Sequence, residues 1–297
     1  MPSHQKNKIA KSRKGKTNQK KYRKFLGWCS ITIATILIIF FLLIFIEPNW
    51  IRSIPYLGRA FAYVETIVKG PKIPAVSGLY GIDVSKHQGT IDWSRVELRY
   101  DMFSKRITTD GAVRVPLTFV IVKATEGITT TDPMFEYNKQ GVLSRNMLFG
   151  AYHYFSYTTD AMQQAKKYLK VSQLCKGNIA PILDVEEDGN LLKMLRNKQI
   201  DASNVKQKVL QWLLYVEKNV GTRPIIYTSP TFKTKYLNSA VFDKYPFWIA
   251  HYQVTEPRLR GVMWQFTEHG SINGIDENVD INLFYGTQNE IEKILVK

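Results

Sequence analysis

Cysteine is scarce in this sequence, with two residues in a chain of 297. Cys29 lies inside a long apolar run and Cys175 lies far away in a polar stretch, so we expect no intramolecular disulfide. This excludes the class of small secreted domains that are held together by disulfides. The chain is 44% hydrophobic and 12% aromatic, which is enough to bury one sizeable core with an appendage attached.

Several motifs of catalytic chemistry are also missing. The sequence has no HExxH motif and no His/Cys spacing typical of zinc sites, although His87, His153 and His251 lie near the ends of predicted strands. It has no G-x-S-x-G motif, and Cys175, in a polar turn, is a poor candidate for a nucleophile. No Gly-rich phosphate-binding loop occurs. The sequence therefore gives no support for a metal site or for a serine or cysteine nucleophile.

Acidic residues are absent from residues 1–24, which contain ten Lys and Arg side chains. Removing those ten from the 41 basic residues of the chain leaves 31 against 25 acidic ones, a balance of only +6. The net charge of +16 therefore belongs mainly to this tail. Attraction to anionic lipid and control of membrane orientation explain such a tail, and we expect no nucleic-acid partner.

Charged residues are absent from the next 22 residues, Phe25 to Ile46. About 20 apolar residues span a bilayer as a helix, whereas the apolar part of a cleaved signal peptide is shorter, about 7–15 residues. Residues 25–46 are therefore predicted to be an uncleaved signal anchor with residues 1–24 in the cytoplasm. Everything after residue 47 would then be extracytoplasmic, in a periplasm or a cell wall. Residues 47–76, which contain four prolines, are interpreted as a stalk.

The remaining residues, 77–297, alternate apolar strand-like runs with amphipathic helical ones. Strands are predicted at residues 79–84, 117–124, 148–155, 179–185, 224–228, 247–251, 261–266 and 279–284. Helices are predicted at residues 92–98, 133–145, 160–173 and 201–220, with short ones near 56–69 and after Pro230. About nine residues separate the sixth and seventh strands, too few for a helical crossover. The pattern predicts an α/β fold, an irregular TIM-like barrel of five β/α units followed by three β-strands, with a doubly wound sheet as the alternative.

Four acidic residues lie at or near the ends of predicted strands: Asp83, Asp184, Glu186 and Asp280. In a parallel barrel the C-terminal strand ends form the active site. Asp184 and Glu186 are two residues apart, so on a strand they point to the same face. Clustered carboxyls drive their pKa values apart, which gives the proton donor and the anion that glycoside hydrolysis needs. Each of these positions taken alone has another explanation. Asp184 and Glu186 could belong to a solvated acidic loop, Asp83 could cap the segment after its strand, and Asp280 could be a turn residue.

Aromatic residues cluster at the same strand ends, and flat rings stack well on sugar faces. We expect about half of these rings to be structural. The predicted substrate-binding residues are Tyr152, Tyr154, Tyr227 and Trp248, together with the amides of Gln88 and Gln265.

These residues lie in blocks that together resemble the family 25 glycoside hydrolases, lysozymes of the Chalaropsis type that cut bacterial peptidoglycan. The blocks are GIDVSKHQGTIDW (81–93), FVIVKATEG (119–127), GAYHYF (150–155), PILDVEE (181–187), PIIYTSP (224–230), FWIAHY (247–252), MWQF (263–266) and NVDINLF (278–284). The resemblance implies a barrel of the type just described, no cofactor, and hydrolysis of the β-1,4 bond between N-acetylmuramic acid and N-acetylglucosamine. It implies that Glu186 is the general acid and that Asp184, Asp83 and Asp280 complete the acidic cluster. It also places Tyr152 and Trp248 along the substrate groove.

One segment departs from the family pattern. Residues 97–116 are longer than the usual connection to the second strand, which indicates a lid, a partner surface or a harmless elaboration. Two other functions stay open: a glycan-binding scaffold without turnover, and a glycosidase acting on another N-acetylated polymer such as chitin. The stereochemistry of the reaction stays open as well.

Overall fold

The computed structural model describes residues 34–36, 38, 39, 42 and 56–297. The predicted cytoplasmic tail, residues 43–55 and most of the predicted anchor lie outside these residues. The six described residues of the anchor are helical. Within the described residues, no helix combines the length and the apolar character that crossing a membrane requires.

A closed barrel of eight strands forms the centre of the unit that runs from Thr66 to Lys297. The strands of this unit, including β2, β3 and β5 outside the closed ring, are β1 (Leu79–Val84), β2 (Leu98–Tyr100), β3 (Val113–Val115), β4 (Leu117–Glu126), β5 (Thr130–Thr131), β6 (Leu148–Tyr154), β7 (Ile182–Asp184), β8 (Ile225–Thr228), β9 (Phe247–Ala250), β10 (Met263–Gly270) and β11 (Val279–Phe284). The helices are α1 (Leu57–Lys69), α2 (Phe135–Ser144), α3 (Ala161–Ser172), α4 (Gly189–Arg196), α5 (Ala202–Val220), α6 (Pro230–Tyr236) and α7 (Gln288–Ile291).

Strand order around the barrel is β1, β4, β6, β7, β8, β9, β10, β11 and back to β1. Every neighbouring pair from β1 to β10 is parallel, whereas β11 is antiparallel to both β10 and β1. β11 follows β10 through a connection of eight residues, 271–278, too short for a parallel crossover, so the chain reverses direction there.

Two apolar cores result from the alternation of side chains along each strand. The smaller core fills the barrel interior and includes Phe119, Ile182 and Ile225. The larger one lies between the outer face of the barrel and the helices, where Val120 and Leu183 pack among residues such as Trp212 of α5. Burial on both faces explains why the parallel strands are continuous apolar runs in the sequence.

All eight predicted barrel strands are present, and the helices predicted near 133–145, 160–173, 201–220 and after Pro230 are confirmed within a few residues. The predicted helix at residues 92–98 is wrong. Asp92 Oδ1 accepts hydrogen bonds from the backbone N (3.2 Å) and Oγ (2.6 Å) of Ser94, which holds a turn, and Leu98 begins β2. The first of the five predicted β/α units therefore lacks an α-helix and has instead a 3₁₀ turn at Lys86–Gln88.

The segment 97–116 contains a hairpin, because β2 and β3 pair antiparallel outside the barrel. Residues 70–73, predicted to be stalk, pair with this segment. Ile73 N donates to Lys105 O and Ile107 N donates to Pro71 O, both at 2.8 Å. Helix α4 was not predicted from the sequence, and it begins where Asp188 accepts a hydrogen bond from Leu191 N.

Gly141 of α2 packs against the turn that stands in place of the helix predicted at residues 92–98, and a substitution there tests this packing. A Cβ at position 141 would lie 2.1 Å from Cδ1 of Trp93. In an open helix, Gly→Ala stabilises by about 1 kcal/mol. Here we expect Gly141→Ala to lower the free energy of unfolding by about 1–3 kcal/mol, the usual cost of overpacking. Gly189→Ala in α4, where nothing lies within 4 Å, is the matched control. Equal effects of the two substitutions in chemical denaturation would contradict the predicted clash.

Candidate active site

Four carboxyl groups meet at one end of the barrel. Asp83 is the penultimate residue of β1, Asp184 is the last residue of β7, and Glu186 follows two residues later. Asp280 is the second residue of β11 and the register partner of Asp83. All four side chains line one cleft of about 590 Å³.

The direction of β11 explains how Asp280 joins the other three. The rule that active-site residues lie at C-terminal strand ends does not cover Asp280, which lies near the N-terminus of its strand. Because β11 is antiparallel to its neighbours, its N-terminal end lies at the same edge of the barrel as the C-terminal ends of the other strands.

Nine of the ten predicted site residues line this cleft: Asp83, Tyr152, Tyr154, Asp184, Glu186, Tyr227, Trp248, Gln265 and Asp280. Tyr227 and Trp248 contact each other edge to face, with ring centroids 4.5 Å apart. The tenth residue, Gln88, does not line the cleft. Its Oε1 accepts from Ser85 N (2.9 Å) and its Nε2 donates to Asn278 O (3.0 Å), so its amide stabilises backbone next to the site.

Gln265 orients Asp83 from one side. Its Oε1 accepts hydrogen bonds from the hydroxyls of Tyr227 (2.8 Å) and Tyr252 (2.5 Å). Because the oxygen of the amide is engaged by these two donors, its nitrogen faces Asp83 and donates to Oδ2 at 2.8 Å.

Asn282 orients Asp83 from the other side. The indole N–H of Trp248, which can only donate, binds Asn282 Oδ1 at 2.9 Å. The Asn282 nitrogen then donates to Asp83 Oδ2 at 2.7 Å. Trp248 is only 2% exposed, so its contribution to the cleft is largely the positioning of Asn282.

The pKa values of the adjacent acids Asp184 and Glu186 are both raised. Burial, and then the negative charge of Glu186, raise the pKa of Asp184 well above its usual range, with the Lys123 ammonium opposing the rise. Burial also raises the pKa of Glu186, against hydrogen bonding with Asp184. Oδ1 of Asp184 is buried without a hydrogen-bond partner, which further disfavours its charged form. Both acids of the pair therefore keep a proton to higher pH than a free carboxyl does.

The other two acids respond to the same environment. Burial raises the pKa of Asp83 to about 6, although the hydrogen bonds from Asn282 and Gln265 favour its charged form. Burial, followed by the charges of Asp83, Glu268 and Glu186, raises the pKa of Asp280 well above its ordinary 3.8. Perturbed carboxyls gathered in a cleft are typical of acid–base catalysis.

The next two acidic residues after β7, Glu187 and Asp188, make structural contacts outside the cleft. Glu187 Oε1 accepts from Lys235 Nζ (2.5 Å) and from the Tyr236 hydroxyl (2.7 Å), and Asp188 caps α4. The run is therefore divided, with Asp184 and Glu186 in the cleft and the next two acids engaged in structural contacts. The alternative of a purely solvated acidic loop is wrong for the first two residues.

The three histidines considered for zinc do not come together as a metal site. His153 is fully buried between Thr125 Oγ1 (2.7 Å) and Gln164 Oε1 (3.0 Å), and burial lowers its pKa to about 4. Among the described residues, no three or more His, Cys, Asp or Glu side chains are arranged to hold a metal ion.

The sequence did not indicate Lys123 and Glu268, which line the cleft, or Asn282, which donates to Asp83. Asn282 follows Asp280 by two residues on a strand, and this spacing places both on one face. That signal was available in the sequence. The contribution of Lys123 and Glu268 depends on how separate strands meet, which no local pattern reveals.

The raised pKa of Asp280 predicts that Asp280→Asn stabilises the protein at high pH. The folded state favours the protonated acid, so its contribution to stability is fully present below pH 3.8 and is lost as the pH rises through the folded-state pKa. Asparagine cannot ionise, so we expect a higher free energy of unfolding at pH 8 and little change at pH 4, measured by chemical denaturation.

Glu187→Gln is the control of opposite sign. Burial disfavours the charged form of Glu187, but its hydrogen bonds with Lys235 and Tyr236 outweigh burial and lower its pKa. Its stabilising contribution is present above pH 4.5 and lost below, so Glu187→Gln should destabilise at pH 8. If Asp280→Asn were also destabilising at pH 8, the assigned electrostatics would be wrong.

Comparison with known proteins places the site in a family. The sequence profile of glycosyl hydrolases family 25 matches residues 82–275, more than half of the chain, and this segment includes Asp83, Asp184 and Glu186. The chain is 38% identical over 225 residues to "Uncharacterized protein YegX" of Escherichia coli K12, covering 74% of this chain and 75% of that protein. It is 29% identical over 208 residues to "Autolytic lysozyme" of Clostridium acetobutylicum, covering 69% of this chain and 55% of the relative.

The fold has solved counterparts. The crystal structure of a bacterial lysozyme from Streptomyces coelicolor superposes with a TM-score of 0.62 at 23% identity, over 74% of this chain and 97% of that one. The profile match and the 38% identical relative confirm the resemblance seen in the sequence blocks. This chain belongs to family 25 of the glycosyl hydrolases.

Proposed function

We propose that this protein is a muramidase, which hydrolyses the β-1,4 bond between N-acetylmuramic acid and N-acetylglucosamine in peptidoglycan. The observation that carries the proposal is the convergence of four carboxyls with raised pKa values in a cleft walled by tyrosines. Family membership supports it, as do the names of two relatives, the Clostridium acetobutylicum "Autolytic lysozyme" and the Streptomyces globisporus "Lysozyme M1".

Glu186 is assigned the role of general acid. It lies just beyond the strand end, and burial raises its pKa, so it keeps a proton at a pH where a free carboxyl has lost it. Asp184 lies beside it in the cleft, and the negative charge of Glu186 helps to raise the pKa of Asp184. Glu186 donates the proton to the glycosidic oxygen as the bond breaks, and the leaving sugar departs as a neutral alcohol. A water molecule then supplies the hydroxyl group that bonds to the anomeric carbon of the other sugar, and its remaining proton returns to the carboxyl cluster.

The remaining carboxyls stabilise the positive charge that develops on the sugar ring. Asp83 is the best oriented of them, because two amides fix its Oδ2 and those amides are themselves fixed by Tyr227, Tyr252 and Trp248. Such preorganisation avoids reorienting dipoles during the reaction.

Glu186→Gln is expected to reduce turnover by roughly 10²–10⁴-fold, because the amide cannot donate the proton. The full chain in detergent would be incubated with purified peptidoglycan, and mass spectrometry would identify the new reducing end. We expect muramic acid at that end with the unchanged protein. Glu187→Gln, which alters the neighbouring carboxyl outside the cleft, should retain most activity.

Other outcomes of this experiment would redirect the assignment. Glucosamine at the new reducing end would exclude a muramidase. Binding of peptidoglycan without cleavage, across peptidoglycans of different chemistry, would favour the glycan-binding scaffold.

We further propose that residues 25–46 anchor the protein in a bacterial membrane, with residues 1–24 in the cytoplasm and the barrel outside. The 22 uncharged residues and the ten basic residues before them support this orientation. The stalk and the domain boundaries predicted from the sequence belong to the same proposal.

The anchor predicts that the full chain stays in the membrane pellet after alkaline carbonate extraction, whereas a variant lacking residues 1–46 is released. The protease sensitivity of the barrel in spheroplasts reports its side of the membrane. An intact N-terminus found by mass spectrometry supports the anchor. A mature N-terminus beyond residue 46 would identify a cleaved signal peptide instead.

A further inference from the structure

The segment 97–116 exposes two neighbouring apolar side chains at the turn between Asp101 and Lys105. Phe103 is 87% exposed and Met102 is 50% exposed, whereas most phenylalanines of the barrel unit are buried. A single exposed apolar side chain is ordinary, but a nearly bare phenylalanine next to a methionine indicates a contact surface.

The turn that carries Met102 and Phe103 is held by hydrogen bonds. Asp101 Oδ1 accepts from the backbone N of Phe103 (3.2 Å) and Ser104 (2.7 Å) and from Ser104 Oγ (2.8 Å). Asp101 O accepts from Lys105 N at 2.9 Å. The apolar pair is therefore presented outward by an ordered turn, so a contact made there needs little extra ordering.

The same turn is joined to the part of the chain that leads from the proposed anchor. Its next residues, 105–107, pair with residues 70–73, and the buried Arg106 donates from a terminal guanidinium nitrogen to Gly70 O at 2.5 Å. Only 23 residues, 47–69, separate the proposed membrane span from this pairing. The turn thus lies beside the point at which the tethered chain joins the barrel unit.

The charges around the turn complement an anionic membrane surface. Lys72 and Lys105 are exposed on either side of the pairing, and Lys105 Nζ lies over the Tyr100 ring, 5.4 Å from its centroid. Asp101, the acid of the turn, accepts hydrogen bonds from residues 103 and 104 and keeps its negative charge near Lys105, so the two lysines leave an excess of positive charge. Apolar side chains flanked by lysines are typical of segments that enter the headgroup region of a bilayer.

We propose that Met102 and Phe103 form a bilayer-contact turn, which inserts into the headgroup region of the membrane that anchors the chain. This rests on the proposed anchor and is independent of the muramidase assignment. The contact adds a second attachment point to the anchor, and it holds the barrel unit at the membrane surface. The enzyme would then reach the glycan strands nearest its own membrane.

Site-directed fluorescence of the full chain tests this contact. Phe103→Cys would be made in a chain with Cys29→Ser and Cys175→Ser, labelled with an environment-sensitive dye, and reconstituted into phosphatidylcholine–phosphatidylglycerol vesicles. Met162→Cys is the matched control, since Met162 of α3 is similarly exposed at 44%. We expect brominated lipids to quench the label at position 103 several-fold more than the label at 162, with a blue shift only at 103.

Three results would overturn the proposal. Equal quenching at positions 103 and 162 would show no specific contact. A blue shift at 103 in lipid-free detergent that grows with protein concentration would assign the turn to a contact between copies of the chain. Failure of the full chain to float with vesicles would contradict both the proposed anchor and the proposed contact. The muramidase proposal would be unaffected, because peptidoglycan cleavage is assayed separately.

Discussion

Closure of the barrel through β1 is the constraint on which the site depends. β1 pairs in parallel with β4 on one side and antiparallel with β11 on the other, so the eight-stranded sheet has no free edge. The same closure brings Asp83 next to Asp280, although 197 positions separate them in sequence. A slip of one residue in this register would turn Asp280 out of the cleft, because the side-chain period of a strand is two.

Burying four carboxyls close together lowers the stability of the fold, and this loss falls at the residues assigned to catalysis. Four carboxyls share a largely buried space, and burial raises the pKa of every one. Asp83 alone receives two amide donors, so the cluster contains both a group prepared for negative charge and groups that favour a proton. This division suits a reaction that needs a proton donor beside an anion. Burial of the apolar core inside the barrel offsets the stability lost in the acidic cluster.

The segment 97–116 links parts of the chain that the barrel alone would leave separate. Its residues 105–107 pair with residues 70–73, and its Glu97 pairs with Asn273 in the connection before β11. Residues 70–73 and the loop leading to Asp280 are therefore both attached to the segment 97–116. The segment therefore stabilises the fold in addition to carrying the proposed bilayer-contact turn.

The eight barrel strands could be predicted from the sequence, because strands covered on both faces are apolar runs, and the spacing of Asp184 and Glu186 indicated that both side chains point to one face. The blocks around them sufficed to indicate family 25. It failed at residues 92–98, where Asp92 stabilises a turn that competes with the helical pattern. It also misplaced Gln88, since only the folded chain brings Asn278 O within reach of its amide. Three features became visible only in the folded chain: the reversed direction of β11, the amide network around Asp83 and the pairing of residues 70–73 with the segment 97–116. These depend on contacts between residues far apart in the chain, which local propensity and periodicity do not encode.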